Sequence, residues 1–582
     1  MRTIAACFAL LAAAPPLRAD SPPVLAEHGA SGYRIILPAD AIPSERHAAE
    51  ELRAIFKRMS GAELPVMTET EPTGDREICL NARARIATVD PEFAKVIPGR
   101  DGYAVRTKGE RLLVLGDRPR GTLYAVYALL EERFGCRWFT REVERIPTKD
   151  RWELPVLDLA YAPPFEYREV YWRETQEADW AARRGLNGSG YPLDERHGGK
   201  ITYQPFVHSF DSILPPEKHF AEHPEWYSEI DGKRRWDGPQ RTQLCLTNPE
   251  VLRRTIEAVK GWMREHPEAT IYSVSQNDNT RPCTCAACRA SDEREGSPAG
   301  TLVTFVNAVA EAVEKEFPGK RIDTLAYQYT RKPPKTVRPR SNVRVRLCSI
   351  ECCFSHPLDV CAVNRSFVDD ITGWSKITDR LYIWDYTTNY AHYLAPFPNF
   401  EVLGPNVRFF RDHGVVGMFE QGNYHGGGEF GELRSYLLAK LLWNPGIDLN
   451  EALREYTDAV YGEAGKTVRD YLKLLHTPVR DGPDVHATIY LPPKKSGWIT
   501  KEFIDRSMKL FDDALAAGKD EPVRKRLRHA RRPIDYIRVL WADGGSPARA
   551  ERLEAFVAAC KELGITHVAE GMRVDEFEKR MK

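Results

Sequence analysis

The chain carries no net charge: 83 Lys and Arg balance 83 Asp and Glu, and no long basic run interrupts that balance. A nucleic-acid backbone or an anionic membrane surface therefore has no electrostatic counterpart in it. Beyond the N-terminus no stretch approaches the roughly 20 apolar residues needed to span a bilayer, so no transmembrane segment is expected. Gly-rich phosphate loops and basic clusters are missing, which argues against phosphate ligands. Internal repeats and low-complexity tracts are missing too. What remains is a globular composition, 42% hydrophobic and 29% charged over 582 residues, long enough for two to four domains.

The N-terminus has the layout of a secretory signal peptide over residues 1–19: Arg2, an apolar run from Ile4 to Ala14, Pro15 and Pro16, then the small-residue end Leu17-Arg18-Ala19. Export to a periplasm, the cell surface or the medium follows, with the mature chain starting at Asp20. Of the 12 cysteines, Cys7 leaves with the signal; an oxidising compartment permits disulfides among the remaining 11, of which at least one stays unpaired or bound to something else.

Three regions follow. Residues 20–160 alternate short strands ("GYRIILP", "REICLNA", "GYAVRT", "RLLVLG") with two helices, one opened by Pro43 and Ser44 and one in "RGTLYAVYALLEERFG", predicting a small α/β sandwich. Residues 161–445 read as strand, helix, strand, helix. Eight strands are expected, at "YREVYW", "TYQPFVHSF", "TQLCLTN", "TIYSVSQND", "IDTLAYQY", "VRVRLCSIE", "LYIWDYTTN" and "VVGMFEQGN", the signature of a (β/α)8 barrel. Residues 446–582 read as a helical region buttressing the barrel.

Barrels of this kind place catalytic groups at the C-terminal ends of their strands. The residues there are His208, Gln276-Asn277-Asp278, Tyr327, Tyr329, Glu351, Trp384-Asp385-Tyr386, Glu420, Asn423 and Tyr424. Carboxylates among aromatics and amides suit a sugar, because rings stack on its apolar face while polar groups bind its hydroxyls. Glycoside hydrolysis needs one acid for the leaving oxygen and a second group to supply or stabilise the nucleophile. Directly after Asp278 come Cys283, Cys285 and Cys288. They predict a structural knot: disulfides, favoured by export, or a structural zinc with a fourth ligand from Cys352, Cys353, His356 or Cys361. No cofactor is required for the chemistry.

The stretch "GDRPRGTLYAVYALLEERFGCRWF" resembles the small N-terminal domain of β-hexosaminidases and α-glucuronidases. "HPEWYSEIDGKRR", "QLCLTNPEV", "YSVSQNDN", "CTCAAC" and the run beginning "TLAYQYT" resemble the domain of unknown function 4838, whose characterised members form glycoside hydrolase family 163. The resemblance implies a retaining endo-β-N-acetylglucosaminidase acting on N-glycans or glycoproteins, with the substrate acetamide as nucleophile. It further implies Asn277 as the group that orients the acetamide and Asp278 as the acid; such an acid must stay protonated, which burial and a nearby carboxylate, Glu351, are expected to arrange. His208, Gln276, Tyr327, Tyr329, Trp384, Asp385, Tyr386, Glu420, Asn423 and Tyr424 would bind substrate. Two alternatives stand beside it: an α-glucuronidase-like inverting enzyme using Glu351, Asp385 or Glu420, and a non-catalytic glycan-binding barrel.

Overall fold

The computed structural model describes residues 22–543 and 546–582; the expected signal peptide and Cys7 lie outside the described residues. The N-terminal region is a six-stranded sheet with a helical layer on each face. In spatial order its strands are Asp158–Tyr161, Tyr103–Lys108, Arg111–Gly116, Glu77–Leu80, Arg34–Leu37 and Val66–Thr68. Strand alternation sorts the core. Ile35, Ile78, Leu112 and Val114 pack with Leu52, Ile55 and Phe56 of helix Pro43–Ser60, while Ile36, Cys79, Leu113 and Leu115 meet Ile86 and Phe93 on the other face.

The second region holds one curled parallel sheet of six strands: β1 (Tyr167–Tyr171), β2 (Ile271–Ser273), β3 (Arg321–Ala326), β4 (Val343–Cys348), β5 (Leu381–Tyr386) and β6 (Val415–Gln421). The order is β1-β6-β5-β4-β3-β2, so β1 and β2 are the edges. Two of the eight expected strands are thus not regular strands. Residues 201–204 line β2 through a parallel bridge of Tyr203 to Ile271 and a bond from Gln204 N to Ile271 O of 2.9 Å. The segment expected as the third strand, 242–248, is not in this sheet; its Leu244 bridges Tyr227 in the antiparallel sense. Instead residues 187–189, which carry no strand pattern, lie beside β1: Asn187 N donates to Arg168 O at 3.2 Å and Asn187 O accepts from Ile201 N at 2.9 Å. Glycines explain why the pattern hid this. A Cβ at Gly188 or Gly190 would collide with the Glu169 carboxylate, so the segment cannot carry the alternating apolar side chains that announce a strand.

Side-chain caps open helices between the strands. Asn248 accepts from Glu250 N at 2.9 Å at the head of Pro249–Glu265, and Ser297 caps Pro298–Glu314. The interior of the curl is polar at its centre: buried Arg346 lies 3.3 Å from Asp323 and under the rings of Tyr203 and Phe206, at 4.4 and 4.7 Å.

The C-terminal region is helical, as expected, but it does more than buttress. Ala487 O and Ile489 O accept from Phe354 N and Tyr390 N, both at 2.8 Å, and Glu570 N donates to Tyr390 O at 2.8 Å. Two C-terminal segments, around 487 and 570, therefore return to the loops at the C-terminal ends of β4 and β5. Among the described residues no helix is long and apolar enough to cross a membrane.

Candidate active site

At the C-terminal ends of the strands lies a cleft of ≈ 190 Å³ lined by His208, Asp278, Tyr327, Trp384, Tyr386 and Gln421, with Tyr390, Tyr490 and Glu570 closing it. Alternation along β5 presents Trp384 and Tyr386 to the cleft, and Trp384 Nε1 donates to Gln421 Oε1 at 2.8 Å. Tyr327 O–H donates to Asp278 Oδ1 at 3.0 Å, and Gln328 Nε2 donates to Tyr327 Oη at 2.9 Å. His208 Nδ1–H donates to Gln276 O at 2.8 Å, which leaves Nε2 as its free acceptor. His208 and Gln328 both sit in the left-handed region, with φ of 51° each, a conformation that costs free energy and concentrates at functional sites.

The three residues after β2 diverge. Gln276 Nε2 braces Leu325 O and Thr330 Oγ1, at 3.2 and 2.7 Å. Asn277 is buried, its Nδ2 donating to Asp211 Oδ1 at 2.6 Å and Thr242 O at 2.8 Å while Oδ1 accepts from Asp211 N at 3.2 Å. Both ends of that amide are committed, so Asn277 cannot orient a substrate acetamide and that expectation is corrected. Only Asp278 faces the cleft, and it is exposed rather than buried.

Other expected residues are placed elsewhere. Glu351 is an exposed partner of Arg331 at 3.0 Å, outside the cleft. Asp385 and Glu420 are paired directly across β5 and β6 but lie on the face opposite Trp384 and Phe419. Both are buried, Ser349 O–H donates to Asp385 Oδ1, and neither Glu420 oxygen has a hydrogen-bond partner. Burial pushes Asp385 up to about 6, and burial with the Asp385 charge pushes Glu420 well above the carboxylate range. Tyr329 lines a separate cavity beside Cys283 and Cys288. Asn423 is buried and ties its own loop through Gly426 O and His425 N, at 3.0 and 2.9 Å. Tyr424 reaches the site indirectly, donating from its hydroxyl to Glu570 Oε1 at 3.1 Å.

Glu570 and Tyr490 are the residues that the strand-end rule missed. Burial raises the Glu570 carboxyl above its ordinary value, Tyr424 pulls it back and the Asp278 charge adds to the rise. Tyr490 is 54% exposed at the rim, its hydroxyl raised by burial and by Glu570 and Asp278. Two carboxylates, one from the middle of the sequence and one from its C-terminal region, thus face one aromatic cleft.

The cysteines sort differently from expectation as well. The fourth partner of Cys283, Cys285 and Cys288 is Cys245, whose Sγ lies 3.7 Å from Cys285 Sγ and 3.9 Å from Cys288 Sγ. No pair of cysteines among the described residues is joined as a disulfide. Cys353, His356 and Cys361 join His486 in a second cluster, and Cys352 belongs to neither.

The sequence profile described as domain of unknown function DUF4838 matches residues 138–473, more than half of the chain. The chain belongs to that family. The DUF4838 match takes in the whole parallel sheet, and the profile described as glycosyl hydrolase family 67 N-terminus matches residues 27–129 ahead of it. No curated protein matches the chain. Among solved structures it is similar to a family GH115 4-O-methyl-α-glucuronidase with specificity for decorated arabinogalactans, at 11% identity, covering 96% of this chain and 79% of the other, TM-score 0.54. It is also similar to a family GH89 protein from Clostridium perfringens in complex with GlcNAc-α-1,4-galactose, at 11% identity, covering 90% of this chain and 65% of the other, TM-score 0.50. At such identities the likeness is one of fold, and it is a fold of glycoside hydrolases.

Proposed function

We propose that the protein is a glycoside hydrolase that cleaves a β-N-acetylhexosaminide in a neutral glycan of the N-glycan type, after export. The observation that carries this is the convergence of Asp278 and Glu570 on one cleft walled by Tyr327, Trp384, Tyr386, Tyr390 and Tyr490. The six parallel strands and the two irregular segments between β1 and β2 are together read as one eight-membered barrel, whose C-terminal mouth holds the cleft.

Glu570, with its raised pKa, holds a proton and gives it to the leaving oxygen as the glycosidic bond breaks. Asp278, oriented by Tyr327, accepts the acetamide N–H and balances the positive charge as the acetamide oxygen bonds to C1. A carboxylate suits this role better than the amide of Asn277 would, since charge develops there. Water then attacks C1 with Glu570 as base, the C1–O bond to the acetamide breaks, and the anomeric configuration is retained. An α-glucuronidase reading is less well supported, because no Lys or Arg among the described residues lines the cleft and a uronate would face two carboxylates.

The test compares wild type with Asp278→Asn and Glu570→Gln on a complex N-glycoprotein, on an aryl β-N-acetylglucosaminide and on its aryl glucosaminide analogue. Glu570→Gln is expected to lose at least ~10²-fold on the glycoprotein and less on the aryl glycoside, whose leaving group needs no proton. Asp278→Asn should lose on both, and the glucosaminide should not turn over. Losses below tenfold in both variants would overturn the assignment of the cleft, and leaving-group dependence in Asp278→Asn alone would exchange the two roles.

A further inference from the structure

Cys353, Cys361, His356 and His486 bring four metal-ligating atoms within 4.8 Å of one another, as do Cys245, Cys283, Cys285 and Cys288. In the first cluster His486 Nδ1 lies 3.4 Å from Cys353 Sγ and 3.7 Å from Cys361 Sγ, and His356 Nδ1 lies 3.4 Å from Cys353 Sγ. A tetrahedral zinc with Zn–S of about 2.3 Å and Zn–N of about 2.0–2.1 Å places sulfur and nitrogen about 3.5 Å apart and two sulfurs about 3.8 Å apart. A disulfide would need sulfurs at about 2.05 Å. Both clusters have the zinc spacing.

The surroundings also suit a metal. His356 Nε2–H donates to Val479 O at 3.1 Å, which fixes the tautomer with Nδ1 free and turned to the sulfurs. Asn364 clamps the backbone of Cys353, accepting from its N–H at 2.7 Å and donating to its carbonyl at 3.0 Å. Around the other cluster Glu229 N–H points at Cys283 Sγ at 3.3 Å and Thr247 Oγ1 lies 3.2 Å from Cys288 Sγ, partners that stabilise thiolates.

We propose that the chain carries two structural zinc ions, one on Cys353, His356, Cys361 and His486 and one on Cys245, Cys283, Cys285 and Cys288. The Cys2His2 site is the consequential one. It fastens the loop after β4 to the C-terminal segment, four residues before Tyr490 at the rim of the cleft, so the metal holds a wall of the cleft in place. Closed four-ligand sites of this kind contribute stability and do not activate water. The metal assignment is independent of the glycosidase reading; only the effect on Tyr490 rests on it.

The test is metal content by mass spectrometry on the full chain purified from zinc-supplemented medium, with thiols counted in denaturant plus chelator. About two zinc per chain are expected, with none of the 11 cysteines at residues 79–560 lost to disulfides. His486→Ala should lose one zinc, keep the other, and raise KM more than it lowers kcat; Cys285→Ser should lose the other one. If either variant does not fold, cobalt exchanged into the wild type should show the visible absorption of tetrahedral thiolate sites. A wild type without bound zinc, or one with thiols missing from the count, would overturn the proposal. So would zinc content unchanged in both variants.

Discussion

Asp385→Asn is expected to stabilise the protein at neutral pH and to leave catalysis intact. The carboxyl is 5% exposed, faces Glu420 across neighbouring strands, and is raised from 3.8 to about 6, chiefly by burial. The folded state therefore binds a proton that the unfolded chain releases, and stability falls as pH rises from about 4 through about 6. A rise of that size corresponds to about 3 kcal/mol. Asn does not titrate and still accepts the Ser349 hydroxyl bond, so the variant escapes that loss. Thermal melts of both proteins at about pH 4.5 and about pH 8 should show a gap in Tm that is small in acid and clearly in favour of the variant in base. Turnover on an aryl N-acetylglucosaminide should stay within about threefold of wild type, because the group lies outside the cleft. A variant equally destabilised at both pH values would refute the desolvation argument, and a loss of activity without a change in stability would return Asp385 to the active site.

Other changes probe the site and its frame. Tyr327→Phe removes the bond that orients Asp278 and should lower kcat roughly tenfold with little change in KM, measured by steady-state kinetics. Tyr490→Ala, at an exposed rim position, should raise KM severalfold with Tm unchanged. Gly422→Ala would drive a Cβ into the Trp172 indole and should cost at least ~2 kcal/mol, seen as a lower Tm together with lost activity. Asn248→Ala removes the cap of Pro249–Glu265 and should cost about 1 kcal/mol without affecting turnover.

The sheet's misplaced members show where strand signals fail. β5 and β6 are visible as short, nearly unbroken apolar runs, "LYIW" and "VVGMF", the pattern of parallel strands buried on both faces, and the strand period of two implies that Asp385 and Trp384 point to opposite faces. Proximity to a strand end, taken alone, ignores that period and groups the two together. Residues 187–189 carry no such signal, since the Glu169 carboxylate leaves room only for glycine beside it.

By itself the sequence determined what local pattern and chemistry control: a mixed α/β chain, the edges of most elements, the cap at Asn248, the aromatic and acidic character of the strand ends, and Asp278 among them. It also carried the family likeness. Tertiary structure decided which side chains meet. Asn277 is consumed by Asp211 and Thr242, Glu351 by Arg331, and Cys245 rather than a later cysteine completes the thiol cluster. Glu570 and Tyr490 arrive from the C-terminal region, roughly 200–300 residues after Asp278, through backbone bonds to Phe354 and Tyr390. Hydrophobic period and caps act over a few residues and are written locally, whereas an active site assembled by loop closure over hundreds of residues depends on which surfaces pack together.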